Sequence, residues 1–340
     1  MPSDASLPPN APMTNGATDN HGEVDASFTS TTTNTSLSEI CADLHTRVSL
    51  FLSTPPKDEV TGRTQEQARI SIGVVKKALE DYGYVLERLP STETKQLTVC
   101  PSFPHLSISY NGGKDCLVLL ILYLSVLHTH FTQPVSRRKD GDSSTFPTSI
   151  PSIYAKPPDP FPAITRFVSQ STKTYHLDLI HIPTLGKPSH SHPSAINNQP
   201  KAAFTFPAAF AYYLSLTSTS TSKGITAIFV GTRRTDPHGH HLTHFDPTDK
   251  NWPAFMRIHP VIDWHLSEIW TFLRADELRD PRTGQRLEYC SMYDEGYTSL
   301  GGVGDTLKNP KLRYLDRDGS VGYRPAYELT EDDEERLGRE

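Results

Sequence analysis

Cysteine is scarce in this chain: Cys41, Cys100, Cys116 and Cys290 are widely scattered and form no C-x-x-C pair. That scarcity argues against a disulfide framework or a structural zinc site and fits a reducing, cytoplasmic environment. Long apolar runs are also missing. The longest, Leu117 to Leu127, falls short of the roughly 20 residues needed to cross a bilayer. No basic start followed by an apolar stretch opens the chain, so export is not expected. Positive charge is not in excess, and a formal net charge of −6 gives no global pull toward nucleic acid or anionic lipid. The expectation is a protein with small-molecule substrates held in a local site, a monomer or weak dimer, with neither a nucleic-acid nor a membrane partner.

What the chain does contain falls into a tail and one larger unit. Residues 1–35 are Ser, Thr, Asn, Pro and Ala with hardly a large apolar side chain. Such a segment cannot bury enough surface to offset ordering entropy and is expected to be disordered. Residues 36–340 are expected to form a single α/β domain, with N-terminal helices over 36–100 and a nucleotide-binding core over 101–275. Ser36 and Glu39 have capping-box spacing, and Ile40, Leu44, Val48 and Phe51 make one helical stripe. After a break at Pro55 and Pro56, Val75, Leu79, Tyr82, Leu86 and Leu89 trace a second amphipathic helix. Short apolar strands then alternate with helices: H-L-S-I-S-Y (105–110), a helix over 114–128, P-S-I-Y-A (151–155), a helix over 161–174, Y-H-L-D-L-I-H-I (175–182), a helix near 200–216 and I-T-A-I-F-V-G (225–231). This alternation predicts a Rossmann-like, mostly parallel sheet with helices on both faces, whose ligands bind beyond the carboxyl ends of the strands. Segments 132–150 and 183–200, rich in Ser, Pro and charge, are expected to be surface loops.

One stretch joins strand to helix abruptly: Ser109-Tyr110-Asn111-Gly112-Gly113-Lys114-Asp115. Unpaired N–H groups at a helix N-terminus, joined by those of a glycine loop, form an anion site, and Lys114 adds a point charge. Asp115 can cap the helix or orient magnesium-bound ligands. A tight structural turn explains the same spacing equally well, and the Walker pattern is not met. A second block, Gly231-Thr232-Arg233-Arg234-Thr235-Asp236-Pro237, follows a strand directly. Its arginines can bind phosphate in bidentate fashion and Asp236 can accept from a ring N–H or hold a metal; the competing reading is a solvated turn ended by Asp-Pro. In R-I-H-P-V-I-D-W-H-L-S-E-I-W-T-F-L (257–273), Val261, Trp264, Ile269 and Phe272 read as core, with Asp263 or Ser267 as helix cap. Trp252 and Trp264 are read as packing rather than stacking on a ligand ring. His238, His240, His241 and His244 form a histidine-rich loop without zinc spacing, and no metal site is expected there.

The S-Y-N-G-G-K-D-C form of the turn resembles the pyrophosphate-binding loop of the adenine-nucleotide α-hydrolase-like group, and its N-G-G-K-D-C variant is similar to the eukaryotic FAD synthases, the FMN adenylyltransferases of the PAPS reductase-like family. The stretches 229–239, 246–274, 289–312, 323–329 and 335–339 agree in order, so the resemblance spans about 105–340. It implies AMP transfer from ATP to FMN, giving FAD and pyrophosphate, with Mg2+ held through the ATP phosphates. On that implication Ile108, Ser109, Tyr110, Asn111, Gly112, Gly113, Lys114, Asp115 and Ile153 bind ATP, and Gly231, Arg233, Arg234 and Asp236 bind FMN. Catalysis falls to Asn111, Lys114, Asp115, Asp236 and the C-terminal R-x-x-R pair Arg336 and Arg339, within a flavin- and phosphate-contacting segment over 276–340. Terminal segments fray unless tied down, so this pair is expected to close over the phosphates when substrate binds. The related sulfonucleotide reductases need a cysteine in an E-C-G-x-H-type segment, which is absent; Cys290 lies in E-Y-C-S-M-Y-D. The remaining alternatives are another ATP-dependent adenylation, such as tRNA-base thiolation, and a catalytically silent flavin- or nucleotide-binding module.

Overall fold

A computed structural model describes residues 35–83, 105–132, 146–185, 203–218 and 224–339. The expected tail, most of both expected loops, and Leu86, Leu89 and Cys100 lie outside the described residues. Residues from Thr35 onward cluster as one compact unit.

Two helices lead in. α1 (Leu37–Ser53) starts with the expected capping box: the Ser36 N–H donates to Glu39 Oε2 at 2.7 Å, and the Glu39 N–H donates back to Ser36 Oγ at 3.4 Å. α2 (Glu59–Tyr82) begins sixteen residues before Val75, where the apolar stripe placed it. Its cap is Asp58, which accepts from the Thr61 N–H at 2.7 Å. The first half of α2 buries Thr61, Thr64 and Gln65, so no apolar stripe marks it. Gln65 Nε2 donates to the carbonyls of Phe51 (2.7 Å) and Thr54 (2.8 Å), satisfying the end of α1.

The α/β unit follows as β1 (Leu106–Ser109), α3 (Lys114–Thr132), β2 (Ile150–Lys156), α4 (Pro162–Thr174), β3 (Leu177–Pro183), α5 (Phe206–Thr217), β4 (Ala227–Phe229), β5 (Phe245–Pro247), β6 (Met256–Ile258) and α6 (Leu266–Leu273). The sheet has six strands in the order β3-β2-β1-β4-β6-β5, parallel except for β5, which runs antiparallel to β6. The expected mostly parallel sheet is therefore present. A hairpin of β7 (Arg313–Leu315) and β8 (Val321–Tyr323) stands apart.

Leu117 to Leu127 are all buried, which explains a helix apolar all round. α3 shares the larger core with residues of α1, α2, α4 and α6, while α5 packs Ala209, Phe210 and Tyr213 against Ile153, Ile182 and Ile228 in a second core. Val261, Trp264, Ile269 and Phe272 are buried as expected, and Trp252 packs among aromatics of the second core. The N-cap of α6 is neither Asp263 nor Ser267 but His265, whose backbone N–H donates to Glu268 Oε2 at 2.9 Å. Asp263 is instead paired with Arg234.

From β1 the chain steps to β2 and β3 on one side, then returns to place β4 on the other. The sheet's topological switch point is therefore between β1 and β4, and a ligand crevice is expected there.

Candidate active site

The turn after β1 and the turn after β4 meet at that point. Gly112 has φ +76°, and a Cβ there would lie 2.8 Å from Val168 Cγ2, so both the backbone angle and α4 require glycine. At Gly231 a Cβ would lie 2.8 Å from Cys116 Sγ and 2.9 Å from the Cys116 nitrogen. The two turns are thus packed backbone to backbone. Burial pushes the Cys116 thiol up to about 12, which removes it as a nucleophile.

Loop 110–115 is locked by its own neighbours. The Tyr110 N–H donates to the Ile153 carbonyl at 2.9 Å, and the Gly113 N–H to Asn111 Oδ1 at 2.9 Å. The Lys114 N–H donates to the Tyr293 hydroxyl at 2.9 Å. Asn111 thus closes an Asx-type turn. Ile108 and Ser109 sit inside the ladder, registered with Ser152 and Ile153, and the Ile153 carbonyl is already engaged. Tyr293, fully buried beside Trp270, has its phenol raised well above the ordinary range by burial, so it stays a neutral hydroxyl.

Charge is concentrated just behind the loop. Lys114 Nζ lies 3.0 Å from Asp115 Oδ2 and pairs with Glu335; its side chain is 2% exposed. The Arg233 side chain is 1% exposed, with Nε 2.8 Å from Asp115 Oδ1, Nη1 3.2 Å from Asp332 Oδ1 and Nη2 on Glu335. The Arg233–Asp115 contact is an ion pair without hydrogen-bond alignment. Burial opposes the charge on Lys114 and Arg233, and the carboxylates around them outweigh it, so both stay cationic. Burial likewise opposes the charge on Asp115, but Lys114 and Arg233 hold its carboxyl below the ordinary range. Asp236 moves the other way, raised by burial and by the Asp115 charge.

The expected phosphate roles of Lys114 and Arg233 meet a plain obstacle: both cations are buried and surrounded by protein carboxylates. Arg234 is also engaged, with Nε 2.6 Å from Asp263 Oδ1 and Nη1 3.0 Å from the carbonyls of both His240 and Leu242, so it staples its own loop. His244 Nδ1 lies 2.9 Å from the His259 carbonyl, and among the described residues no group of three or more His, Cys, Asp or Glu is placed to hold a metal.

The C-terminal segment is tied to the rest of the domain by several contacts. The Leu307 N–H donates to the Gly338 carbonyl at 2.8 Å, and Arg339 reaches Thr306 Oγ1 (2.9 Å) and Asp305 Oδ2 (3.0 Å). Asp332 accepts from the Leu266 N–H at 2.7 Å and so caps α6 from a distance. Arg336 Nη1 lies 3.4 Å from Asp236 Oδ1, while Asp236 Oδ2 accepts from the Arg233 N–H at 2.9 Å. Arg336 is 37% exposed, comparable to the stapled Arg234 at 39%, whereas Lys114, Arg233 and Arg339 are largely covered. Glu335 and Tyr293 lie within the stretches 335–339 and 289–312 that carry the resemblance, but no role was expected of either.

Residues 105–308 match the family profile of the phosphoadenosine phosphosulfate reductase domain. A probable FAD synthase of Schizosaccharomyces pombe is 33% identical over 290 residues, covering 85% of this chain and 84% of that protein. The flavin adenine dinucleotide synthase of Saccharomyces cerevisiae is 33% identical over 210 residues, 61% of this chain and 60% of that protein. The crystal structure of Candida glabrata FMN adenylyltransferase in complex with FAD and inorganic pyrophosphate shares the fold, with a TM-score of 0.68 at 24% identity over 90% of this chain and 97% of that one. The chain belongs to the phosphoadenosine phosphosulfate reductase domain family and, within it, to the FAD synthases.

Proposed function

We propose that the protein transfers AMP from ATP to FMN, forming FAD and pyrophosphate. The observation that carries this reading is the convergence at the switch point: the N-G-G-K-D turn, Asp236 and Arg336 meet there, although Arg336 and Asp236 are 100 positions apart. Relatives that align over most of the chain carry the FAD synthase name.

A phosphate oxygen of FMN attacks the α-phosphorus of ATP, the bond from that phosphorus to the bridging oxygen breaks, and pyrophosphate leaves with the electron pair. No covalent protein intermediate is required. The protein's contribution is position and charge. Ser109 and the chain beyond Ile153 border the adenine side at the carboxyl ends of β1 and β2. Gly112, Gly113 and the start of α3 lie against the departing pyrophosphate, where the helix N-terminus favours anions. Asn111 and Tyr293 hold that turn in shape. Gly231 and Asp236 border the FMN side, and Arg336 faces the phosphates, with Arg339 behind it.

Asp115 and Asp236 are close enough for one charge to raise the other's proton affinity. Both Asp115 oxygens are paired with Lys114 and Arg233, so Mg2+ would be held chiefly through the ATP phosphates, as suits an ion that binds through few carboxylates rather than in an all-protein cage. When bound, that ion would neutralise the ATP phosphates and the charge that develops on pyrophosphate. The setting is cytoplasmic, where Cys41, Cys116 and Cys290 remain free thiols. The substrates are small molecules, ATP and FMN, and the active form is a monomer or weak dimer, without nucleic acid or membrane.

Arg336→Ala tests the reading. FAD formation from FMN and ATP should fall about 10²- to 10³-fold, as for loss of a charge-stabilising donor, with the melting temperature nearly unchanged because the guanidinium is partly solvated. Wild-type turnover in that variant would remove Arg336 from the chemistry.

A further inference from the structure

Glu335 is not among the residues expected to bind phosphate, yet its side chain is only 5% exposed and bridges two buried cations, Lys114 and Arg233. Asp115 bridges the same two cations from the other side, at 3.0 Å and 2.8 Å. Lys114, Asp115, Arg233 and Glu335 therefore form a closed ring of alternating charge. It joins three separate pieces of chain: the first turn of α3, the turn after β4 and the C-terminal segment. Below the ring, the Glu335 carbonyl accepts from Thr298 Oγ1 at 2.5 Å, and Asn309 Nδ2 donates to the Glu334 carbonyl at 2.8 Å. The next residue is Arg336.

A phosphate cannot reach Lys114 or Arg233 without opening this ring, and opening it leaves buried charge uncompensated, which is strongly unfavourable. Arg336, one residue along, is accessible. Resting on the adenylation reading above, we infer that Glu335 is a positioning residue: with Lys114 and Arg233 as its anchors, it fixes the Arg336 guanidinium beside Asp236 and the loop. Lys114 and Arg233 then act on the reaction through Glu335 and do not touch phosphate.

A double-mutant cycle separates this from independent phosphate contacts. Glu335→Gln, Lys114→Met and the double variant are assayed for FAD formation beside wild type, with kcat and KM for ATP and FMN measured separately. Glu335→Gln should lower kcat roughly ten- to a hundredfold with little change in either KM, because placement of a transition-state contact is lost. Lys114→Met should do the same, and the double variant should be no worse than the poorer single one. Glu335→Asp, which keeps the charge on a shorter stem, should recover part of kcat. Losses that multiply would show Lys114 acting independently and would overturn the inference, as would wild-type kcat in Glu335→Gln.

Amide hydrogen exchange supplies a readout that needs no turnover. In Glu335→Gln the amides of residues 336–339 should exchange faster while those of Leu117 to Leu124 keep their protection. Unchanged exchange at 336–339 would overturn the inference. A Gln variant that does not fold is replaced by Glu335→Asp in both measurements, with smaller shifts of the same sign expected. If wild type itself makes no FAD, the adenylation reading fails, while the exchange experiment still decides whether Glu335 holds the C-terminal segment.

Discussion

His259 stands directly after β6, fully buried, with neither ring nitrogen hydrogen-bonded among the described residues. Burial first, and then the nearby Arg257 charge, push its imidazole down to about 4, against the pull of Asp246. The folded value lies below that of the unfolded chain, so between about 6.5 and 4 the unfolded state binds more protons. The stability associated with the neutral ring is present above about pH 6.5 and lost as pH falls toward 4, on the order of 3 kcal/mol in all. Melting temperatures of wild type and His259→Gln between pH 7 and 4.5 check this; the wild-type curve should fall more steeply, and parallel curves would contradict it. Residues of this kind were not legible in the sequence. His259 sat within a segment read as core, and nothing local marks whether an imidazole will be satisfied. Asn111 and Gly112 were legible, because turn chemistry and steric need for glycine are local properties.

Elements were legible where one physical signal dominated. α3 was recognisable from uninterrupted apolar residues, and the structure buries it beneath α1, α2 and α6. Leu120→Ala, in the middle of that helix and fully buried, should cost about 2–5 kcal/mol. Urea denaturation would measure this as a lower midpoint with little change in slope; a midpoint within experimental scatter of wild type would mean that α3 is not the core. The first half of α2 escaped notice because its buried face carries Thr61, Thr64 and Gln65, where hydrogen bonds replace apolar periodicity. β5 and β6, three residues each, are shorter than any window that periodicity can use. The β7–β8 hairpin had a readable signal, Asp318-Gly319, with φ +83° at the glycine.

At the scale of the whole molecule, the site is assembled across great separations in sequence: Lys114 and Glu335 lie 221 positions apart, and Arg233 and Glu335 lie 102 apart. Composition alone does not distinguish the acidic C-terminal run from a solvated charged tail, because it says nothing about partners. In the structure its carboxylates neutralise buried cations from the two turns at the sheet's switch point. The resemblance pointed to Arg336 and Arg339 at the terminus without showing what holds them there. The parallel sheet brings the turns together, and the docked C-terminus sets Arg336 beside Asp236. If that assembly is an adenylyltransferase, its chemistry has a fixed stoichiometry. Purified protein incubated with ATP, Mg2+ and FMN, with the flavins separated and pyrophosphate assayed in the same sample, should give FAD and pyrophosphate in equal amounts. Bound flavin or ATP without turnover, or ATP consumed only when tRNA is added, would contradict it.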